Sequence, residues 1–138
     1  MSPRTILLVE DTPTLQLVYA SMLESLGLRV LKASTVEEAS AEFADAKPDV
    51  VILDLMLPDG DGGQLIEGWL AEHPACRVIV ITAHGSIDRA VSAMRSGSLD
   101  FLVKPFNDAR LMASVQNALA NIPEEASSAP AAGATSGG

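Results

Sequence analysis

The sequence predicts an α/β protein, a doubly wound three-layer sandwich with a parallel sheet between two layers of helices. Three observations carry this. Short apolar runs alternate with helix-periodic segments five times along the 138 residues, a (βα)5 pattern. The runs lack a polar face, as in Val50 to Leu53 (VVIL), which suits strands covered on both sides. The segments between them can supply the crossovers that parallel neighbours need, and such crossovers are right-handed almost always.

The first strand is Ile6 to Val9, ending at Glu10 and Asp11. Thr12 or Thr14 then caps a helix that tolerates Pro13 in its first turn, and Leu15, Val18, Met22 and Leu26 follow at helical spacing. Gly27 closes it. Leu28 to Ala33 is the second strand. Ser34 or Thr35 caps the second helix, and Thr35 with Glu38 has capping-box spacing. Val36, Ala39 and Phe43 mark its inner face. Val50 to Leu53 is the third strand, ending at Asp54. The third helix carries Leu65, Ile66, Trp69 and Leu70 and stops near Pro74. Val78 to Ile81 is the fourth strand, and Ser86 caps a fourth helix with Ile87, Ala90, Val91 and Met94 on one side. Phe101 to Val103 is the fifth strand, and Leu111, Val115 and Leu119 mark the last helix.

Composition bounds the function. Apolar residues make up 48%, enough for a core in one domain, 1–122. Aromatics are only 4%, so aliphatic residues must fill that core. Lys plus Arg is 9 against 18 for Asp plus Glu, a formal charge of −9, which argues against direct nucleic-acid binding and fits a cation site. The single Cys76 allows no intrachain disulfide and no zinc spacing; it is a small hydrophobe before a strand. There is no signal-peptide pattern and no membrane-length run, so a cytoplasmic protein is expected. Residues 123–138 are Ala, Ser, Gly and Pro with two glutamates, a flexible tail or linker start, or the remnant of a tag.

In an open parallel sheet, ligands bind beyond the carboxyl ends of the strands. Here those ends carry Glu10 and Asp11, Asp54, and Lys104 with Pro105. Alone, Asp54 is equally well a turn cap. If the first and third strands are neighbours, three carboxylates crowd together and call for a counterion. A hard divalent cation, with Lys104 adding a compact positive charge, resolves the conflict.

Four motifs in order make the sequence recognisable: LLVED (Leu7 to Asp11), ILDLMLPDGDG (Ile52 to Gly62), VITAHGS (Val80 to Ser86) and DFLVKPF (Asp100 to Phe106). Over Arg4 to Ala120 the chain resembles the receiver domains of bacterial two-component response regulators, in wording closest to those of the sigma-54 activator class, quorum-sensing regulators included. The resemblance implies a flavodoxin-like fold with strand order 2-1-3-4-5. It implies that Asp54 accepts a phosphoryl group from a sensor histidine kinase or a histidine phosphotransfer protein. Mg²⁺ would be bound by Asp11 directly, by Glu10 through water, and by Asp54 and the backbone carbonyl of Met56. Lys104 would balance phosphoryl charge. Thr82 would donate to the phosphoryl group, with small Ala83 leaving room, and Phe101 would be the switch aromatic, lacking the hydroxyl of relatives with Tyr. Lys104-Pro105 would be a cis peptide, and Gly62 the residue suited to a positive φ.

Met56 and His84 fall, by the same resemblance, at positions that tune phosphoryl lifetime; by itself His84 is a solvated loop residue. Met56 cannot align a water well, so slow self-dephosphorylation is expected. Trp69 should pack at the helix–sheet boundary, with His73 exposed. Arg89, Arg95 and Arg110 should be solvated. The surface of fourth helix, fifth strand and fifth helix is where phosphorylation would act on an output domain outside this sequence, and where a homodimer could form, with Arg89 and Arg95 placed to pair with acids across it.

Two other classes compete. An aspartyl phosphatase wants a second acid two residues after the nucleophile, where Met56 stands, and a nucleotide binder wants a Gly-rich first loop, where the chain has Glu10-Asp11-Thr12-Pro13. An interaction module that no longer takes phosphate would have no use for the full set of Glu10, Asp11, Asp54, Thr82 and Lys104. The protein is therefore expected to be a phosphoacceptor switch, not an enzyme on other substrates.

Overall fold

The computed structural model describes residues 4–83 and 87–123. Their order is β1 (Thr5–Val9), α1 (Pro13–Glu24), β2 (Arg29–Ala33), α2 (Val36–Ala46), β3 (Val50–Asp54), α3 (Ile66–Glu72), β4 (Arg77–Thr82), α4 (Ile87–Arg95), β5 (Asp100–Val103) and α5 (Asp108–Ala120). Between β3 and α3 lie a two-rung hairpin, Met56–Leu57 against Gly60–Asp61, and a single 3₁₀ turn, Gly62–Leu65. The five main strands form one parallel sheet in the order β2-β1-β3-β4-β5. This is the doubly wound, flavodoxin-like sandwich expected.

Side chains alternate between the faces of the sheet, as the two-residue period of a strand requires. Ile6, Leu8, Val50, Ile52, Ile79 and Ile81 pack against α1 and α5 through Tyr19, Leu23, Leu111 and Val115. Leu7, Val9, Val51, Leu53, Val78 and Val80 pack against α2, α3 and α4 through Phe43, Ile66, Trp69 and Ala93. All five residues of β3 are buried, which is why its run has no polar face before Asp54. Trp69 stacks on Phe43 at 4.6 Å, joining α3 to α2. Cys76 is buried, and burial pushes its thiol up to about 12, so it acts as a small hydrophobe.

The local signals hold unevenly: Thr12 stands at the N-cap of α1 but its side chain makes no capping hydrogen bond, whereas α2 is capped as its sequence predicts. The Thr35 hydroxyl accepts from the Glu38 N–H at 3.0 Å. The Glu38 carboxylate accepts from the Ser34 N–H at 2.7 Å, one residue beyond the usual box partner, Thr35. Gly27 follows α1 with φ +82°, a conformation that suits glycine.

Four expectations are corrected. In α1, Leu15, Met22 and Leu26 pack against the core as expected, but Val18 is exposed and the buried residues are Tyr19, Ala20 and Leu23, because this helix is apolar nearly all round and periodicity alone does not choose its face. In α4, small Ala90 and Ala93 are buried while Ile87, Val91 and Met94 are exposed. His73 is half-buried, its ring edge against Phe43 at 6.4 Å. Gly62 is not among the positive-φ glycines of the described residues, which are Gly27, Gly60 and Gly97. It is needed because a Cβ there would sit 2.7 Å from the Asp54 carbonyl oxygen and 2.9 Å from Leu53 Cδ1. The expectations for Ser86, His84 and most of the tail lie outside the described residues.

Candidate functional site

Strand order reverses between β2-β1 and β3-β4-β5, so β1 and β3 meet at the topological switch point. Their carboxyl ends bring Glu10, Asp11 and Asp54 together, with one carboxylate oxygen from each within 4.8 Å of the others. Glu10 is fully buried, Asp54 is 4% exposed, and Asp11 is half-buried. Lys104, just beyond β5, reaches across the strand ends. Its Nζ lies 2.9 Å from Asp54 Oδ2 and 3.1 Å from Glu10 Oε1. It donates to Glu10 Oε2 at 3.4 Å.

Backbone donors complete the arrangement. The Met56 N–H donates to Asp54 Oδ1 at 2.9 Å, and the Thr12 N–H to Glu10 Oε2 at 3.1 Å. Thr82 ends β4, one residue past Ile81, the register partner of Asp54. It is fully buried, and its carbonyl accepts from the Lys104 N–H at 2.9 Å. Phe101 pairs in register with Val80 and is half-buried against the α2/α3 side of the core. The Lys104–Pro105 peptide is cis. Thus the carboxylates and Lys104 converge, with Thr82 beside them, while Phe101 stands on the neighbouring edge of the sheet.

Burial is the main cause that pushes the Glu10 carboxyl up; the Thr12 N–H works against it, and the Asp54 charge adds to it. Burial also opposes the Lys104 charge, but hydrogen bonds and attraction to Asp54 and Glu10 outweigh it, and its pKa is raised. One ammonium cannot balance three carboxylates. Glu10 Oε1 is buried with no hydrogen-bond donor in geometry, although Lys104 is near. An all-oxygen donor set with such an atom fits a hard divalent cation.

Several residues of the site escaped sequence reasoning. The Gln16 amide Nε2 contacts the Glu10 carbonyl (2.9 Å), the Ala33 carbonyl (3.2 Å) and Ser34 Oγ (3.3 Å), tying the Glu10 turn to the end of β2. Only its place one turn into α1 hinted at this. Arg89 and Arg110 are exposed, as expected of solvated arginines, and each also forms an ion pair within the chain, Arg89 with Asp61 at 3.3 Å and Arg110 with Asp100 at 3.1 Å. Met56 is half exposed beside the acceptor, where an aspartyl phosphatase would need its second acid.

Comparison with known proteins gives the same answer as the geometry. Residues 6–116 match the family model of the response regulator receiver domain. The chain is 43% identical over 112 residues to the regulatory protein LuxO of Vibrio vulnificus, covering 81% of this chain and 25% of that protein. It is 37% identical over 116 residues to the nitrogen assimilation regulatory protein NtrX of Azorhizobium caulinodans, covering 83% and 26%. The crystal structure of the receiver domain of NtrX from Brucella abortus superposes with a TM-score of 0.78 at 35% identity, covering 83% of this chain and 98% of that one. The chain spans about a quarter of the length of these two curated relatives. With these matches, the doubly wound sheet carrying an acidic cluster and a lysine at its switch point is that of a phosphoacceptor module of two-component signalling. This chain belongs to the response regulator receiver domain family, whose general function is phosphorylation on an aspartate. Among the described residues no helix is long and apolar enough to cross a membrane.

Proposed function

We propose that Asp54 is the phosphoacceptor, and that a sensor histidine kinase or histidine phosphotransfer protein is the donor. The observation that carries this is the Lys104 ammonium held against Asp54 at 2.9 Å on a buried strand end, beside Glu10. An Asp54 carboxylate oxygen attacks the phosphorus of the donor phosphohistidine. The P–O bond forms as the P–N bond breaks, and the imidazole leaves. Such transfer depends mainly on positioning and charge neutralisation. Lys104 supplies one positive charge close to the reacting oxygens. Asp11, Asp54 and the Met56 carbonyl would hold Mg²⁺, with Glu10 reaching it through water. Bound there, Mg²⁺ neutralises charge on the phosphoryl oxygens.

The Thr82 hydroxyl then donates to the phosphoryl group, Ala83 leaves room for the approach, and the Phe101 ring turns inward. The face of α4, β5 and α5 changes in consequence. Exposed Ile87, Val91 and Met94 make the α4 part of that face apolar, which suits an output domain or a second copy. The reading places the chain in the cytoplasm, with no chemistry beyond its own phosphorylation and dephosphorylation.

The test is intact mass after incubation with acetyl phosphate and Mg²⁺, wild type beside Asp54→Ala. The expected result is a labile gain of one phosphoryl group, absent in the variant and absent in EDTA. A wild type that gains none from acetyl phosphate or from a phosphorylated histidine phosphotransfer protein sinks the reading. Met56 and His84 set the lifetime of the adduct. Met56→Asn should shorten its half-life about tenfold by positioning water, and an unchanged half-life rejects that role.

A further inference from the structure

The hairpin that follows Asp54 is tied at its turn to an element away from the acceptor. Asp59 Oδ1 accepts from the Val36 N–H at 2.7 Å, and Oδ2 from the Glu37 N–H at 3.1 Å. These are the first two residues of α2, whose N–H groups have no partner within the helix. The helix's own cap, Thr35, serves Glu38 instead. Asp59 therefore takes the donors that the local cap does not reach. The Val36 N–H is the main cause holding the Asp59 carboxyl below its ordinary range, so it is charged at neutral pH. Gly60 follows closely enough that a Cβ there would touch Val36 Cγ2 at 3.6 Å.

The helix so gripped is firmly held. Ala39 and Phe43 are buried, and Phe43 stacks on Trp69. At its other end the hairpin carries the Met56 peptide, whose N–H donates to Asp54 Oδ1. Met56 and Leu57 pair with Asp61 and Gly60, so a shift at the turn moves the rung that carries Met56.

We propose that Asp59 is a positioning residue for phosphoryl transfer. By clamping the hairpin to the N-terminus of α2, it holds the Met56 peptide where the acceptor and the cation need it. This rests on the roles assigned above to Asp54 and Met56. Asp in a turn ordinarily bonds its own loop. Here it caps a helix that begins 23 residues earlier, at Val36.

The test is the Mg²⁺ concentration for half-maximal phosphorylation by acetyl phosphate, with the rate at saturating Mg²⁺. Wild type is compared with Asp59→Ala, Asp59→Asn and Val36→Pro. The proline removes the donor to Oδ1 but leaves the Asp59 charge. It suits the first helical position, and Thr35 before it is already extended at φ −140°, ψ 166°. Asp59→Ala should raise half-saturation about three- to tenfold, with the plateau rate within about twofold of wild type. Asp59→Asn and Val36→Pro should move it less and in the same direction.

A role confined to helix capping lowers Tm without moving half-saturation, and that result overturns the proposal. So does an effect of Asp59→Ala with none in Val36→Pro, which reduces Asp59 to a distant charge. If Asp59→Ala does not fold, the other two variants decide. A wild type that takes no phosphoryl group at Asp54 overturns the underlying assignment, and the proposal falls with it. Normal phosphorylation of the wild type with unaltered variants overturns the proposal alone.

Discussion

Gly62 illustrates how one missing side chain shapes the site. A Cβ there would meet the Asp54 carbonyl oxygen at 2.7 Å and Leu53 Cδ1 at 2.9 Å. Neither can retreat easily: one is strand backbone, and Leu53 is fully buried. Gly62→Ala should therefore destabilise the protein by about 1–3 kcal/mol in urea unfolding, the usual range for overpacking. The displaced segment bears Asp54, so phosphorylation of the folded variant should also slow. Unchanged stability would show that the segment yields without cost.

At the scale of elements, polar contacts attach α5 to β5. Asp100 on β5 accepts from Arg110 (3.1 and 3.3 Å) and from the Ser114 hydroxyl (2.8 Å), both on α5. Burial pushes the Asp100 carboxyl up, but Arg110, Ser114 and the Phe101 N–H together outweigh it and hold the pKa below its ordinary value. A depressed pKa stabilises the fold above the unfolded value, about 3.9, and that stabilisation is lost as pH falls through the lower folded value. Arg110 is half exposed, which screens its share. Asp100→Asn should thus cost about 1 kcal/mol at pH 7 in urea unfolding, with the difference from wild type shrinking below about pH 4. A difference that persists undiminished at lower pH would assign the cost to packing instead. The same β5–α5 contact adjoins Phe101, whose carbonyl also accepts from Arg110.

For the whole molecule, a cation held by the acidic site would couple its binding to stability. Three carboxylates share one ammonium, so a divalent cation that binds the folded site relieves repulsion that the unfolded chain does not suffer. Mg²⁺ at a hundred times its Kd should stabilise the protein by about 2.7 kcal/mol, reversed by EDTA. Buried Trp69 offers a fluorescence signal for the unfolding curve. Asp11→Ala should abolish most of the gain. Equal stability in Mg²⁺ and EDTA would mean that these carboxylates hold no cation.

Much of the molecule was legible in the chain itself, because some signals are local. Strand runs such as Val50 to Leu53 have no polar face, so burial on both sides follows from the residues alone. Glu10, Asp11, Asp54 and Lys104 follow directly on strand runs, and a parallel sheet places all strand ends on one edge. Their convergence therefore needed only the topology. What local signals could not supply was decided by packing. In α1 more than one face is apolar enough to bury, and in α4 the larger apolar residues stay exposed; packing selected Tyr19 and Leu23 in one and two alanines in the other. Gly62 is demanded by contact with Leu53 and Asp54, which no φ preference reveals. Gln16 and Asp59 bond to backbone groups, and a backbone group carries no residue signature in a sequence. The sequence by itself determined the class of fold and the charged set at its edge, since both follow from residue type and order. Only the tertiary structure decided which faces are buried and what braces the site, since those depend on which surfaces meet.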